Sequence, residues 1–427
     1  MKNWSGNQKW SPEIILYPTS EEEIKEIIQK AREDDKQIRT IGSAHSFTPL
    51  NVTDSVLLSL DRLQGLVSVD HEQQQVTVRA GTKLYMLNEL LAEEGLALEN
   101  MGDINVQTVA GALSTGTHGT GIGFGNLSTQ IVQLRLINGQ GEVVVCSESE
   151  NRDWFKAAQV SLGVLGVITE ITLRCVPAYR LELRIGKEKI ESIFDNLDEI
   201  LTSTRNFEFY WFLNTSWTMT KHLNETAEPA EPAKWKDYLQ EKLLENHIFK
   251  LLCDTSALIP STSRRLNRIA AATIDDYRKV DHSYNVFSTS RLVRFNEMEY
   301  NVPLGAYQEV KKEIMQWVSR NVRNVVFPME NRFVKGDDIW LSPAYQRDSA
   351  YIAVHMYHKK SYQEYFSGIE DIFKAYDGRP HWGKIHTLEA DELRHRYENF
   401  DRFNEVRKEM DPEGVFFSPY LKSILGE

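Results

Sequence analysis

Cysteine is scarce in this 427-residue chain: Cys146, Cys175 and Cys253 stand far apart. No two of them form a CxxC pair, so neither a redox dithiol nor a cysteine-based zinc site is indicated, and no metal is called for. An odd, sparse count suits a reducing compartment, in which each cysteine serves as a small apolar residue. Basic residues are in the minority, with 49 Lys and Arg against 61 Asp and Glu and a net charge of −12. Nucleic-acid polymers and anionic membrane surfaces both recruit clustered cations, so neither is an expected partner. No run of about 18 apolar residues occurs, so no membrane-spanning helix is expected. The opening MKNWSGNQKW lacks the apolar core of a secretory signal, which leaves the cytoplasm as the expected location. The GxGxxG fingerprint and the P-loop, the two commonest nucleotide motifs, are absent as well.

What is present is the composition of a folded protein, 41% hydrophobic and 26% charged, and long enough for two cores. In the first third, helix and strand signals alternate. Ser20 to Glu23 reads as a capping box in which the two residues satisfy each other's backbone N–H, followed by Ile24, Ile27, Ile28 and Ala31 at helical spacing. Strands are expected at 37–41, 56–60, 66–69 and 76–80, and a helix over 83–94 is capped by Gly95. Two further strands, 131–137 and 142–146, flank Asn138-Gly139-Gln140-Gly141 as a hairpin. A short helix covers 153–161, and a strand over 166–176 is ended by Pro177. Residues 180–300 read as long charged helices with an exposed acidic loop at 225–232. Beyond them, strands at 325–327 and 351–355 alternate with a helix over 363–376. The composition changes near residue 178, which divides the chain into 1–178 and 179–427.

Two segments have the composition of anion-binding loops. Gly116-Thr117-His118-Gly119-Thr120-Gly121 places small residues where the backbone must approach something closely. Exposed N–H groups in such a loop can hold a pyrophosphate, although a tight loop beneath a strand has the same composition. Ile41-Gly42-Ser43-Ala44-His45-Ser46 ends a strand in the same manner, and a lone histidine such as His45 is by itself more often structural.

Five motifs occur in a fixed order: Gly42 to Ser46, Ser114-Thr115-Gly116-Thr117-His118-Gly119-Thr120-Gly121, Glu330-Asn331-Arg332, Pro380-His381-Trp382-Gly383-Lys384, and Asp411-Pro412-Glu413-Gly414-Val415-Phe416. Together they resemble the FAD-dependent vanillyl-alcohol oxidase superfamily, in its aldonolactone oxidase and alditol oxidase branch. The resemblance implies an α+β, two-domain fold. An N-terminal FAD-binding domain would be followed by a substrate domain with a mixed or antiparallel sheet covered by helices, and the extreme C-terminus would return to the first domain. It implies a covalent bond from His45 to the 8α-methyl of FAD. Ile41, Gly42, Ser43, Ala44 and Ser46 would cradle the pyrophosphate, with alanine at 44 where many relatives have glycine. Gly102, Asp103, Thr108, Gly111 and Ala112 would lie along the flavin and ribityl chain, as would Ser114, Thr115, Gly116, His118 and Gly119, with Ile168 close by.

Glu330 and Arg332 are two apart, so on a strand they share a face and could hold a polyol between acceptor and donor. An isolated pair of this kind is usually a surface ion pair, and it is the resemblance that assigns it to the active site. Lys384 is either a solvated turn lysine or, by resemblance, a cation beside the flavin N1–C2=O edge. His355 is either structural or a substrate-site histidine, and Ser114 makes either a loop hydrogen bond or a contact with substrate hydroxyls. The expected reaction is hydride transfer from a CH–OH group of an alditol of xylitol or sorbitol type to FAD, with dioxygen then reduced to hydrogen peroxide. The alternatives are an aldonolactone (gulono-, galactono- or arabinono-1,4-lactone) oxidase, an oxidase of another sugar CH2OH such as a nucleoside's, or a dehydrogenase with a different acceptor. The short, soluble chain favours the alditol.

Overall fold

A computed structural model describes residues 1–231, 249–289 and 293–427. A three-stranded parallel sheet is built from Ile14–Leu16, Val56–Ser59 and Ile38–Ile41 in that spatial order. An antiparallel five-stranded sheet follows, in the order Leu66–Asp70, Gln75–Arg79, Val167–Arg174, Ile131–Ile137 and Val143–Ser147. The third large element is an eight-stranded sheet. Its order is Tyr277–His282, Arg180–Lys189, Trp217–Glu225, Asn206–Trp211, Met329–Val334, Ser349–Tyr357, Phe295–Pro303 and Arg379–Pro380, and every pairing is antiparallel. The α+β expectation holds, and the open choice between mixed and antiparallel resolves to antiparallel. Among the described residues no helix is long and apolar enough to cross a membrane.

Local signals explain most of the first third. Helix Glu21–Glu33 starts at Ser20, whose Oγ accepts the Glu23 N–H at 3.2 Å, and it buries Ile24, Ile28 and Ala31. The reciprocal half of the capping box is displaced by one residue, because the Glu23 carboxylate takes the Thr19 N–H at 2.7 Å. Gly95, at φ +70°, follows helix Leu84–Glu93 in the left-handed region that glycine tolerates best. Pro177 does not end the preceding strand, which stops at Arg174; Val176–Pro177 instead pairs with Leu96–Ala97.

Among the described residues of 180–300, where long charged helices are expected, short helices (Ile190–Asp195, Leu197–Ser203, Phe249–Leu258, Ser263–Ala272, Ser283–Phe287) alternate with strands of the large sheet. Arg180–Lys189 carries polar groups at alternate positions while Leu181 and Ile185 are buried, which is the period of a half-buried strand. Charge content suggested helix, and cross-strand pairing decided otherwise. Residues 225–231 comprise the end of strand Trp217–Glu225 and an irregular segment, and Pro232 lies outside the described residues. Val325–Phe327 is a buried irregular segment. The strand begins at Met329, after Pro328, which has no N–H to give a ladder.

Helices Tyr307–Asn321 and Gln363–Ala375 cover one face of the large sheet. Tyr307 packs edge-on against Phe333 at 5.1 Å, and Phe373 stacks on Tyr300 at 4.9 Å. Since side chains alternate along a strand, Glu330, Arg332, Glu297 and Glu299 are directed to the opposite face, toward the N-terminal half. The closing segment packs back onto that half. The buried Arg39 guanidinium donates to the carbonyls of Leu50, Leu162, Gly163 and Phe416, and Ile38 N–H donates to Val415.

Gly81 marks a close backbone approach, since a Cβ there would lie 1.9 Å from the Leu60 carbonyl oxygen and 2.8 Å from that of Leu63. Backbone cannot yield as a flexible side chain does, so Gly81→Ala is expected to cost about 3 kcal/mol. Gly305, exposed and with nothing near its absent Cβ, is the control, and Gly305→Ala should leave the unfolding midpoint unchanged. Denaturant melts compare the two.

Candidate active site

Strand register brings the charged groups together. Glu208 is opposite Arg332, Tyr210 opposite Glu330, Arg332 opposite Tyr351, and Glu297 opposite His355. Residues directly opposite in antiparallel strands share a face, so four adjacent strands contribute to one buried polar surface.

Arg332 is at one focus. Its Nη2 is 2.6 Å from Glu330 and 3.5 Å from Asp103, and its Nε is 2.8 Å from Glu208. The Tyr210 hydroxyl lies 2.9 Å from Glu330 and 3.0 Å from Glu208. Burial alone would favour a neutral Arg332, but Glu330, Glu208 and Asp103 outweigh it and hold the guanidinium pKa well above its ordinary value. Glu208 is held below the ordinary carboxylate value in turn, burial being overcome by Arg332 and Lys221.

Lys384 is the second focus, 2.5 Å from Glu297 and 4.0 Å from Glu299. His355 Nε2 stands 3.4 Å from Glu297 and 3.9 Å from Glu330, which joins the two foci. Burial would raise Glu297, yet Lys384 and His355 bring it down to about 2. Glu299 is lowered too, with burial opposed first by His118. His118 Nδ1 meets the Gly119 carbonyl at 2.8 Å, its Nε2 faces Glu299 at 3.2 Å, and its ring stacks on Tyr351 with centroids 3.7 Å apart.

Among the described residues, two buried trios, His118–Glu299–His381 and Glu297–Glu330–His355, have residue types and spacing that can hold a metal ion. Their hydrogen bonds commit them elsewhere. His381 Nδ1 accepts the Gly383 N–H at 3.0 Å, so the ring proton resides on Nε2 and neither nitrogen is a free donor pair. In the second trio the Lys384 ammonium already occupies Glu297.

Arg332, Lys384, Glu297, Glu299, His118 and His381 line a cavity of about 650 Å³, whose apolar wall includes Trp4, Phe47 and Phe295. That volume is typical of a cofactor or ligand site. A narrow cleft, lined by Ile41 to Ser46, Thr108, Gly111 and Ile168, shares His45, Ser46, Gln107 and Thr115 with the cavity. The two are limbs of one space with His45 at the junction.

The D-arabinono-1,4-lactone oxidase family matches residues 171–424, and an FAD-binding domain family matches residues 12–147. The chain is 40% identical to an L-gulono-1,4-lactone dehydrogenase of Mycobacterium tuberculosis, over 99% of this chain and 98% of the relative. It belongs to the D-arabinono-1,4-lactone oxidase family. An L-gulonolactone oxidase of Mus musculus is 34% identical over 99% of this chain and 97% of its own. The fold matches a solvent-stable cholesterol oxidase with a TM-score of 0.83 at 18% identity, covering 100% of this chain and 97% of the other. It also matches the cholesterol oxidase of Brevibacterium sterolicum, with a TM-score of 0.80 at 16% identity over 99% and 96%. The family is that of FAD-dependent oxidoreductases, within the vanillyl-alcohol oxidase superfamily named by the sequence motifs. Lactone names on relatives that match end to end support the aldonolactone alternative better than the alditol reading.

The residues present fit FAD. Gly42 sits so close to Thr108 that a Cβ would lie 2.4 Å from its Oγ1, leaving a narrow limb of glycine and serine backbone for the diphosphate. Lys83, whose ammonium is 3.2 Å from Ser43 Oγ, adds a cation beside that limb. The wider limb has the volume for a three-ring system and a cation, Lys384, on its wall.

Not every expected site residue lines this space. Gly102, Asp103, Thr115 and His118 do, but Ala112 is packed in the core and Gly116 lines neither limb. Gly119 borders a smaller neighbouring cavity that also touches Asp103 and Arg332. Ser114 lines the narrow cleft and not the cavity that holds Arg332. Glu330 and His355 lie immediately behind the cavity wall, reached through Arg332 and Glu297. Asp103 faces Arg332, so it belongs to the polar cluster as well as to the cavity lining. Sequence reasoning missed Glu208, Glu297 and Glu299. Glu297-Met298-Glu299 has carboxylates at strand period between apolar neighbours, a signal that was available. Trp382 is fully buried, its Nε1 donating to the Leu341 carbonyl at 2.6 Å, and it serves packing.

Proposed function

We propose that this protein oxidises a ring CH–OH group of a sugar 1,4-lactone, with FAD as hydride acceptor and dioxygen as the final acceptor. The observation that carries this reading is that Arg332, held from behind by Glu330 and Glu208, lines the same buried cavity as Lys384, in a family of lactone oxidoreductases. The bound flavin supplies two-electron redox chemistry, and the protein supplies position, charge and proton handling. Arg332 donates hydrogen bonds to the lactone and its neighbouring hydroxyl, since carboxylates fix its fork and keep it charged. Lys384, held by Glu297, lends positive charge where negative charge develops on the cofactor. Glu297, which lines the cavity, is placed to take the hydroxyl proton, and His355 and Glu330 behind the wall continue the path away from it.

Residues 1–178 form the cofactor half and 179–427 the substrate half, with 411–417 closing back onto the first. His45 is the covalent attachment point. Its ring stays neutral, and so nucleophilic, because burial first, then Lys384 and Lys83, bring its pKa down to about 4. Support for dioxygen comes from the relatives named oxidases, whereas the Mycobacterium relative is named a dehydrogenase.

A panel of gulono-, galactono- and arabinono-1,4-lactones with xylitol and sorbitol, under anaerobic conditions, tests the substrate class. Lactones should bleach the flavin absorbance quickly and alditols at least about tenfold more slowly. Faster bleaching by alditols would overturn the lactone reading. Stoichiometric peroxide on admitting air supports the oxidase, and reduction of an added dye without peroxide assigns a dehydrogenase.

A further inference from the structure

We propose that the first ten residues are a clasp that sets the His45 ring for covalent attachment to the cofactor, with Trp4 as the positioning residue. The inference rests on His45 being the attachment point. The Trp4 indole stacks on the His45 imidazole with centroids 5.6 Å apart and planes at 22°. Trp4 is itself held edge-on by Phe295 at 5.1 Å and Phe47 at 6.3 Å, so one ring of the N-terminal segment fixes the other from behind. Main-chain contacts do the same for the loop. Trp4 N–H donates to Ala44 O at 2.9 Å and Asn3 Nδ2 to Ser46 O at 2.9 Å. Asn7 Nδ2 and Gln8 Nε2 both donate to Phe47 O, at 2.9 and 3.1 Å. The segment is closed on itself by an antiparallel bridge between Lys2 and Lys9 and by Asn3 Oδ1, which accepts from the Gly6 and Gln8 N–H groups.

The loop needs such restraint. Ala44 has φ +53°, the left-handed region, where an L-residue with a Cβ is disfavoured by about 1–2 kcal/mol. The Trp4 N–H holds the main chain at 44, and the indole face holds the His45 ring at the junction of the two limbs. Attachment requires an imidazole nitrogen lone pair aimed at one carbon, so orientation is what the clasp contributes. In the step itself that lone pair forms a C–N bond to the 8α carbon, while one proton leaves the methyl group and another leaves the imidazole. The two electrons released pass through the ring system to an acceptor, dioxygen in air, which with two protons becomes hydrogen peroxide. Trp4 takes no part in the bond making, so its role is to position the ring.

The test uses full-length protein produced under riboflavin limitation, then mixed with FAD in air. Covalent incorporation is followed as flavin fluorescence that stays with the denatured polypeptide on a gel. Wild type should incorporate fully. Trp4→Ala should incorporate at least about tenfold more slowly, with the rate measured at saturating FAD and normalised to the FAD bound in the native state before denaturation. Trp4→Phe, which keeps a ring face, should recover most of the rate. Incorporation by Trp4→Ala at the wild-type rate would overturn the clasp and leave the attachment intact, whereas loss of all flavin from denatured wild type would overturn both. If Trp4→Ala does not fold, Trp4→Leu replaces it: slower incorporation than Trp4→Phe supports the clasp, and equal rates reject it.

Discussion

Arg332→Ala should lower kcat/KM for a sugar lactone by about a hundred- to a thousand-fold, the usual effect of removing one preorganised charge donor. The side chain is buried and within 2.6–3.5 Å of Glu330, Glu208 and Asp103, so its loss also leaves three carboxylates without their common counter-charge. Stability should therefore fall as well, by about 3–5 kcal/mol. Turnover must accordingly be measured below the melting transition, with bound flavin quantified. Arg332→Lys separates the two effects, because it retains the charge but not the planar fork. It should recover much of the stability and little of the rate. Near-normal kcat/KM in the alanine variant would remove Arg332 from the active site.

The second large effect is acid lability. With His45 proposed to be tied to the cofactor, two other histidines carry the effect: burial pushes His381 down to about 3 and His386 to about 4, while in the unfolded chain both return to about 6.5. Between these values the unfolded state binds protons that the folded state refuses. Stability is then fully present above pH 6.5 and is lost as pH falls toward 4, with a slope of up to about 2.7 kcal/mol per pH unit from two protons. Glu297, lowered to about 2, adds to the loss only below the ordinary carboxylate range, since it must first be protonated. Melting temperature should be nearly level from pH 9 to 7 and drop steeply from 6.5 to 5. His386→Asn should reduce that slope by about half, and a level profile down to pH 5 would show that these histidines are not buried in the neutral form.

Much of the narrow cleft could be read from the chain because its determinants are local. A strand ending at Ile41, the Gly42 to Ser46 turn and the Gly116 to Gly121 run lie within short windows, and the structure places the first in the narrow cleft. Glu330 and Arg332 were legible as a pair for the same reason, as strand period two fixes a shared face whatever lies opposite. The polar cluster around them was not. Glu208 reaches Arg332 only through pairing of Asn206–Trp211 with Met329–Val334, and Glu297 reaches His355 only through pairing of Phe295–Pro303 with Ser349–Tyr357. Such pairings depend on which edges the rest of the sheet leaves free. The strands within 180–300 were missed for the same reason: charged residues at alternate positions suit a strand only when a neighbour strand is present to pair with it.

By itself the sequence determined the family motifs, the helical and hairpin segments of the first third, and the facing of Glu330 with Arg332. The reason is that dihedral preference, capping and side-chain period act over a few residues. Tertiary structure alone decided that Glu208 and Asp103 join Glu330 around Arg332, that Lys384 is tied to Glu297, and that Trp4 lies against His45. Those contacts join residues 40 to well over 100 positions apart, and their energy is realised only once burial has excluded water from the charges they pair.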